Sequence, residues 1–206
     1  MAYALAVLAS GRGSNLEAIL RAVDEGRLDA EVRAVFSDRE HARALDVAGS
    51  RGVRAVWVDP GAYGDKAGYE RALLEGIRAV SPNCLVLAGY MRILSPRFVE
   101  NAGCPIVNIH PSLLPAFAGL DAHGQALAAG VRFSGCTVHF VDEGVDQGPI
   151  IMQRVVPVAP DDTRETLAGR VLKEEHILLP EALDLMAKGR ILREGRKAVI
   201  LKEESH

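Results

Sequence analysis

Apolar runs of strand length alternate with helical periods through the first half of the chain. Strands are predicted at Tyr3 to Ala9, Val32 to Phe36, Val53 to Val58, Cys84 to Ala88 and Ile106 to Ile109. Such a series favours an α/β fold, in which an open, mostly parallel twisted sheet is flanked by helices. Sheets of this kind bind ligands at the carboxyl ends of their strands, so the turn after Ala9 and the residues around His110 are candidate sites.

The first helix is predicted from apolar residues that recur on one helical face, namely Leu16, Ile19, Leu20 and Val23. Ser14 and Glu17 lie at the start of this stretch with three-residue spacing. That spacing predicts a capping box at the helix N-terminus.

The pattern changes after Ser134, where CTVHFVDEGVDQGPIIMQRVVPV contains two β-rich segments joined by an acidic loop. The loop is too short for a helical crossover, which predicts an antiparallel pair at or beyond the sheet edge. A long helix is predicted from about Thr163 to Lys188, with Asp161 or Asp162 as its cap and a kink at Pro180. The tail ILREGRKAVILKEESH predicts a short hairpin, and residues 1–206 are interpreted as one domain.

Composition narrows the class of protein. The chain has 206 residues, 49% hydrophobic and 25% charged, with a net charge of -3 and a pI near 6.1, as is usual for soluble globular proteins. It shows no basic run that would indicate a nucleic-acid partner, no signal peptide and no membrane-length apolar segment. Cys84, Cys104 and Cys136 are an odd number without metal-like spacing, which suits a reducing cytoplasm. Buried thiols are expected, and Cys136 has no obvious neighbouring base apart from His139.

The glycine loop SGRGSN joins the first strand to the first helix, where backbone N–H groups and the helix dipole favour an anion. Gly13, Ser14 and Asn15 suit a terminal phosphate. The dinucleotide fingerprint requires a third glycine where this chain has Leu16, although Asp38 lies where a ribose-binding acid would be expected. A tight turn without any ligand is the structural alternative.

The fifth predicted strand ends in polar residues, in the stretch IVNIHPSLLP. Asn108 and His110 are two residues apart, so their side chains point to the same side of the strand. An amide N–H₂ can stabilise an oxyanion while an imidazole transfers protons, which suits acyl-type transfer. Pro111 and Pro115 restrict the chain that follows.

An Asn and a His at a strand end need a third group before they indicate catalysis, and the acidic loop DEGVDQGP supplies candidates. Asp146 would orient the imidazole and favour its charged form, with Asp142 and Glu143 as competitors. A metal site formed by His110, His123, His139 and an aspartate matches no compact motif. His139 is interpreted as a buried or supporting residue, whereas His41 and His206 are predicted at the surface.

Six stretches, in the same order, resemble the folate-dependent formyltransferases. They are SGRGSNLEAI, RAVFSD, LAGYMRILSP, VNIHPSLLPAFAGLDAHGQAL, SGCTVHFVDEGVDQGPIIMQ and KEEH, and together they span nearly the whole chain. The resemblance implies a Rossmann-like formyltransferase fold. It also implies transfer of the formyl group of 10-formyltetrahydrofolate to the glycinamide amine of 5'-phosphoribosylglycinamide, through a tetrahedral intermediate, in de novo purine (IMP) biosynthesis.

The resemblance also assigns roles to individual residues. Asn108 would steady the oxyanion, His110 would be the protonated proton-transfer residue, and Asp146 would hold His110 in its charged form. The ribonucleotide phosphate would lie on Gly13, Ser14 and Asn15, with the glycinamide amine near Glu175. The folate pterin would bind along Met91, Arg92, Ile93 and Leu94 and against the loop of Asp142, Glu143, Gly144 and Asp146. Taken as structure alone, the MRIL stretch is a polar interruption at a strand end and Glu175 a solvated helix residue.

The chain departs from the family pattern at three positions. Lys66 stands where an arginine that contacts folate is expected, and a bidentate contact is not available to lysine. Ala116 and Ala118 stand where a basic residue and a proline are common. The expected partners are small-molecule substrates, and no metal, nucleic acid or membrane partner is expected. The expected assembly is a monomer or homodimer in the cytoplasm.

Four other functions remain open. Formyltetrahydrofolate deformylase transfers the formyl group to water and usually carries an additional N-terminal regulatory domain, which is not expected in this chain. Methionyl-tRNA formyltransferase needs a C-terminal RNA-binding domain, which the chain length and acidic balance do not favour. A nicotinamide-dependent oxidoreductase would use the glycine loop with Asp38, and a non-catalytic nucleotide-binding module would use the loop alone.

Overall fold

This computed structural model describes residues 2–202, in which strands and helices alternate as far as residue 140. The strands are β1 (Tyr3–Leu8), β2 (Ala30–Ser37), β3 (Arg54–Trp57), β4 (Cys84–Leu87), β5 (Ile106–His110), β6 (Phe133–Phe140), β7 (Ile150–Pro157), β8 (Ile191–Glu194) and β9 (Lys197–Ile200). The helices are α1 (Ser14–Asp24), α2 (Arg43–Ser50), α3 (Lys66–Ala79), α4 (Pro96–Asn101), α5 (Ala122–Ala128) and α6 (Arg164–Ala187), with a 3₁₀ turn at Pro60–Ala62.

The larger sheet has the strand order β3-β2-β1-β4-β5-β6-β7, and β8 pairs with β9 in a second sheet. The chain divides into two compact units, Met1–Asn108 and Ile109–His206. The boundary falls within β5, so this strand contributes residues to both units. The α/β prediction is confirmed, while the interpretation of residues 1–206 as one domain stays a prediction.

The first unit is a parallel sheet with helical crossovers. β1 pairs in parallel with β2 and β4, β2 with β3, and β4 with β5. From Ala4 to Ala9 the chain is fully buried, as expected for a central parallel strand covered on both faces. The five predicted strands are therefore present, with ends within one residue of the predicted ones except at the amino end of β2, which begins two residues earlier than predicted.

The predicted capping box at the start of α1 is wrong. Gly13 is the N-cap, with a left-handed φ of 77°, and Ser14 is already the first helical residue without a side-chain capping bond. A Cβ atom at Gly13 would lie 2.8 Å from Cα of Ala44. The close approach of the α2 backbone therefore requires glycine at this position, and the turn takes the place of a serine cap.

The second unit contains the predicted antiparallel pair. β6 and β7 run antiparallel, with a register irregularity between Val138 and His139, and β7 is the last strand of the sheet order. α6 packs against both strands. Its N-cap is Thr163, which forms a capping box with Thr166, so the prediction of Asp161 or Asp162 as the cap is wrong. Asp162 instead accepts a hydrogen bond from the Thr166 hydroxyl at 2.9 Å.

Two features of the C-terminal region complete the fold. α6 continues through Pro180, which is buried, and the kink there stays a prediction. The predicted hairpin is confirmed by the antiparallel pairing of β8 with β9. Residues 203–206, which include His206, lie outside the described residues, whereas His41 is exposed as predicted. No helix within residues 2–202 combines the length and apolar character needed to span a membrane.

Candidate active site

The candidate site begins at the carboxyl end of β5. His110 is the last residue of this strand and is buried, and Asn108, two residues before it, is half-buried. Alternation along the strand places both side chains on the same side. Asn108 is the register partner of Leu87 in β4, so the ladder fixes the backbone that carries the amide.

Both ring nitrogens of His110 face oxygen atoms. Nδ1 lies 3.3 Å from Oδ2 of Asp146, and Nε2 lies 3.0 Å from the carbonyl oxygen of Phe117. A carboxylate and a carbonyl only accept hydrogen bonds, and a neutral imidazole has a single N–H. The doubly protonated ring is therefore the form that can donate to both partners.

Asp146 is held in a left-handed conformation, with φ of 53°, in the loop between β6 and β7. Its Oδ2 accepts a hydrogen bond from the backbone N–H of Gly119 at 2.9 Å, and its Oδ1 lies 3.6 Å from Nε2 of His139. Burial raises the pKa of this carboxyl group, but the contacts with His139, Gly119 and His110 outweigh burial and hold the pKa below its usual value. Asp146 is consequently a carboxylate at neutral pH.

His139 supports Asp146 from within the β6 strand. It is almost fully buried, and its Nδ1 lies 2.8 Å from the carbonyl oxygen of Phe140, to which Nδ1–H donates. That bond directs Nε2 toward the carboxylate. His139 is thus both the buried residue and the supporting residue that the alternating pattern predicted.

The other acids of this loop are used differently. Asp142 accepts a hydrogen bond from the N–H of Gly144 at 3.0 Å, which closes a local turn, and Glu143 is exposed. The sequence left Asp142, Glu143 and Asp146 as candidates for the partner of His110. The fold brings Asp146 to the imidazole.

The chain that follows β5 is fixed by buried hydrogen bonds within the second unit. The Thr137 hydroxyl donates to the carbonyl of Ser112 at 2.7 Å and accepts from the N–H of Leu114 at 3.1 Å. Gln153 donates to the carbonyl of Leu114 at 2.9 Å. The Leu114–Pro115 peptide bond is cis. The three hydrogen bonds hold the chain that leaves β5 and hence the position of His110.

Sequence reasoning missed the contributions of Phe117 and Gly119, because both act through backbone atoms. Phe117 has a positive φ of 57° although it is not a glycine, so nothing in its residue type signals the conformation. Gly119, with φ of 82°, carries the ordinary glycine signal for a left-handed turn. Ala116 and Ala118, two of the departures from the family pattern, flank Phe117 in this loop.

The predicted phosphate residues lie at the N-terminus of α1 in the first unit. Gly13 forms the turn, Ser14 begins the helix, and Asn15 is buried. The first turn of a helix presents backbone N–H groups at its N-terminus, which is the feature that an anion site uses. The turn geometry alone also accounts for Gly13, so a bound phosphate stays a prediction.

The predicted folate residues of the first unit form one loop after β4. Met91, Arg92 and Ile93 are exposed and Leu94 is buried. Lys66 is the first residue of α3, and its Nζ lies 3.7 Å from a carboxylate oxygen of Glu70. The ammonium of Lys66 is therefore already beside an acid of its own helix.

Glu175 of α6 is buried, which contradicts the reading of this residue as a solvated helix position. Cys136 of β6 also lies in the second unit. Burial, and then the charges of Glu175 and Glu174, raise the pKa of the Cys136 thiol to about 12. A nucleophilic thiolate at this position is therefore disfavoured.

The metal alternative drew on His110, His123, His139 and an aspartate. Within residues 2–202 no group of three or more His, Cys, Asp or Glu side chains is arranged to hold a metal ion. Burial lowers the pKa of His123, which favours the neutral form of that ring. Asp38, the ribose-binding candidate of the nicotinamide alternative, accepts a hydrogen bond from the Ser10 hydroxyl at 2.6 Å.

Comparison with known proteins identifies the family. Residues 3–183 match the formyl transferase family. The chain belongs to that family. Among curated relatives, this formyl transferase is 42% identical to the phosphoribosylglycinamide formyltransferase of Bacillus subtilis over 178 residues, 86% of this chain and 91% of the relative. It is 44% identical to the trifunctional purine biosynthetic protein adenosine-3 of Bos taurus over 187 residues, 91% of this chain but 18% of that longer protein.

Solved structures give the same family at the level of the fold. Glycinamide ribonucleotide transformylase 1 from Symbiobacterium toebii superimposes with a TM-score of 0.95 at 48% identity, covering 98% of this chain and 95% of that one. A formyltetrahydrofolate deformylase from Pseudomonas syringae superimposes with a TM-score of 0.90 at 27% identity, covering 98% of this chain and 67% of that one. The fold is therefore shared by a transferase and a hydrolase, while the sequence is more similar to the transferase.

Proposed function

We propose that this formyl transferase moves the formyl group of 10-formyltetrahydrofolate to the glycinamide amine of 5'-phosphoribosylglycinamide, a step of de novo purine (IMP) biosynthesis in the cytoplasm. The observation that carries the proposal is the contact between His110 and Asp146 at the end of β5, 3.3 Å from Nδ1 to Oδ2. Its setting is a chain similar over most of its length to phosphoribosylglycinamide formyltransferases.

The reaction needs stabilisation of an oxyanion and movement of a proton. The glycinamide amine attacks the formyl carbon, and the carbonyl electrons move onto oxygen to give a tetrahedral intermediate. The Asn108 amide, at the end of the strand, would donate a hydrogen bond to that oxygen. The bond between the formyl carbon and the folate nitrogen then breaks, the folate nitrogen gains a proton, and the former amine loses one.

His110 would mediate this proton movement. In its doubly protonated form the ring is a general acid, and after proton loss the same ring is a base. Asp146 would favour the charged form because a carboxylate next to an imidazolium lowers its electrostatic free energy. Asp146 itself stays ionised at neutral pH because its pKa is lowered.

The binding residues are proposed from the family resemblance. Gly13, Ser14 and Asn15 would hold the ribonucleotide phosphate at the start of α1, and Glu175 would face the glycinamide amine. The folate would contact Met91, Arg92, Ile93 and Leu94 and the loop that contains Asp142, Glu143 and Gly144. Exposed Met91 and Ile93 side chains support the first of these contacts, because they offer apolar surface to a planar ring.

Lys66 would contact the folate carboxylate as a single charge. Its ammonium already lies near Glu70, and lysine cannot form the bidentate contact of an arginine. The proposed contact between Lys66 and the folate carboxylate is therefore weaker than the arginine contact that the family pattern implies.

The experiment follows ultraviolet absorbance as purified protein acts on 10-formyltetrahydrofolate, with and without 5'-phosphoribosylglycinamide. Turnover that depends on the acceptor is expected. His110→Ala should abolish it, whereas His41→Ala, which changes an exposed histidine with a side chain 93% accessible, should not.

Turnover without the acceptor would instead support the deformylase reaction. No turnover in either cuvette would refute the proposal. Calorimetric titration with a nicotinamide dinucleotide would then test the oxidoreductase alternative.

A further inference from the structure

The loop after β4 exposes apolar side chains from a fixed backbone. Met91 is 57% exposed and Ile93 is 65% exposed. Within the first unit the Tyr90 hydroxyl and the Met91 N–H form hydrogen bonds, and the Arg92 guanidinium lies 4.0 Å from the Asp38 carboxylate. Exposed apolar residues on an anchored loop are suited to receive a flat ligand, since little further ordering is needed on binding. The residues that anchor this loop have no role in the function proposed so far.

Ser10 and Asp38, here called the Ser10–Asp38 pair, anchor the backbone of the loop. The Ser10 hydroxyl donates to Oδ1 of Asp38 at 2.6 Å and accepts from the N–H of Met91 at 2.9 Å. A hydroxyl has one hydrogen, so its bond to the carboxylate leaves its lone pairs for Met91. The backbone N–H of Ser10 also donates to the carbonyl of Gly89 at 3.1 Å. Ser10 is buried, and the side chain of Asp38 is only 7% exposed although the residue as a whole is half-buried.

The same carboxylate lies near the side chain of Arg92. Oδ2 of Asp38 is 4.0 Å from Nη1 of Arg92, and the guanidinium lies over the ring of Tyr69, 5.1 Å from the ring centroid. The Tyr69 and Tyr90 hydroxyl oxygens are 2.5 Å apart. Asp38 is thus connected to the backbone of Met91 through Ser10 and to the side chain of Arg92 through charge.

A second carboxylate holds the far end of the loop. Glu70 accepts a hydrogen bond from the N–H of Ser95 at 2.9 Å and another from the Ser95 hydroxyl. Glu70 is buried and belongs to α3, so this end of the loop is tied to a helix. Met91 and Ile93 therefore lie in the part of the loop that Asp38 anchors at one end, through Ser10, and Glu70 anchors at the other end, through Ser95.

We propose that Asp38 and Ser10 are positioning residues for the formyl donor. They hold the loop backbone at Met91 and the guanidinium of Arg92 in the arrangement that receives the folate. This inference rests on the proposed function and adds two residues to it. Asp38 thereby has a use other than binding the ribose of a nicotinamide cofactor, because its Oδ1 is bonded to Ser10 and its Oδ2 faces Arg92.

The test compares steady-state kinetics and donor binding in four variants. Asp38→Ala removes both connections, Ser10→Ala removes the bond to Met91, and Asp38→Asn keeps an acceptor for Ser10 but loses the charge facing Arg92. Asp162→Asn is the matched control, since Asp162 is a buried carboxylate that accepts from a hydroxyl and pairs with Arg170 at 2.8 Å. Binding of 10-formyltetrahydrofolate without acceptor is measured by titration calorimetry.

For Asp38→Ala and Ser10→Ala we expect the KM and Kd for 10-formyltetrahydrofolate to rise about tenfold, the change typical of one lost hydrogen bond to a charged group. The KM for 5'-phosphoribosylglycinamide and kcat should change less than about twofold, because bound donor still reacts normally. Asp38→Asn should lie between Asp38→Ala and the parent, and Asp162→Asn should match the parent.

An Asp38→Ala enzyme with an unchanged donor KM and Kd would overturn the inference. So would equal increases in the KM of both substrates, because general damage to the fold has that effect. Failure of the proposed function can be distinguished from failure of this inference, because the first is seen in the parent protein. A parent that binds 10-formyltetrahydrofolate but does not transfer the formyl group refutes the proposed function. In that case, weaker folate binding by Asp38→Ala still supports the positioning role. A parent that neither turns over nor binds this folate refutes both.

Discussion

His110 and Asp146 meet at 3.3 Å between Nδ1 and Oδ2, although 35 positions separate them in the chain. The imidazole ends a strand and the carboxylate lies in the loop between two later strands. The two groups differ in what holds them: β5 and the bond to Phe117 orient His110, while Gly119 and His139 contact Asp146. The pair is therefore built from four separate stretches of backbone.

The first prediction concerns the charge of Asp146. We expect Asp146→Asn to lower turnover at every pH and most steeply toward high pH, because a neutral amide no longer favours the charged imidazole of His110. The measurement is kcat/KM for acceptor-dependent turnover across the pH range in which the protein stays folded. A pH profile with the parent's shape would show that Asp146 does not control the proton on His110.

The second prediction concerns the Asn108 amide. Asn108→Ala should reduce kcat by about 10²-fold or more, as expected for loss of a principal oxyanion donor. Asn101→Ala is the control, because Asn101 is exposed and its amide donates to the carbonyl of Arg97 within one helix. An Asn108→Ala enzyme with full kcat would remove Asn108 from the mechanism.

The third prediction is a pH dependence of stability that follows from the lowered pKa of Asp146. The pKa of Asp146 in the folded protein lies below its usual value, so the folded protein binds this proton less readily than the unfolded chain. The stability that Asp146 contributes is therefore present above the unfolded pKa and is lost as the pH falls through the folded pKa.

Urea unfolding measures this effect. The difference in free energy of unfolding between the parent and Asp146→Asn should be larger at about pH 6 than at about pH 3. The exposed Asp29→Asn variant is the control for loss of a carboxylate at the surface. A difference that is constant over this interval would contradict the lowered pKa.

The fourth prediction concerns the backbone turn before α1. Gly13→Ala places a Cβ atom 2.8 Å from Cα of Ala44 at a left-handed φ of 77°, so steric overlap adds to backbone strain. We expect a loss of about 2 to 4 kcal/mol in the free energy of unfolding, measured in urea. Gly26→Ala isolates the strain, since its φ is 67° and no atom lies within 4 Å of the added Cβ; about 1 kcal/mol is expected. Equal losses in the two variants would show that the contact with Ala44 does not constrain the turn.

The local pattern of the sequence predicted most of the elements. Apolar runs of strand length located the five parallel strands, and the pattern of the later sequence predicted the long C-terminal helix and the tail hairpin. It failed at helix starts. Ser14 and Asp162 have residue types that favour capping, but the left-handed turn at Gly13 and the capping box of Thr163 with Thr166 decided those ends.

The candidate site divides in the same way. The sequence by itself placed Asn108 and His110 on one side of a strand end, because alternation along a strand depends only on backbone geometry. Among Asp142, Glu143 and Asp146 the residues alone left the partner of His110 open, and the structure brings Asp146 to it. That choice depends on the left-handed backbone at Asp146 and on the N–H of Gly119, which folding brings together from a distant part of the chain. Periodicity reports local geometry, whereas contacts between distant residues exist only after the chain has folded.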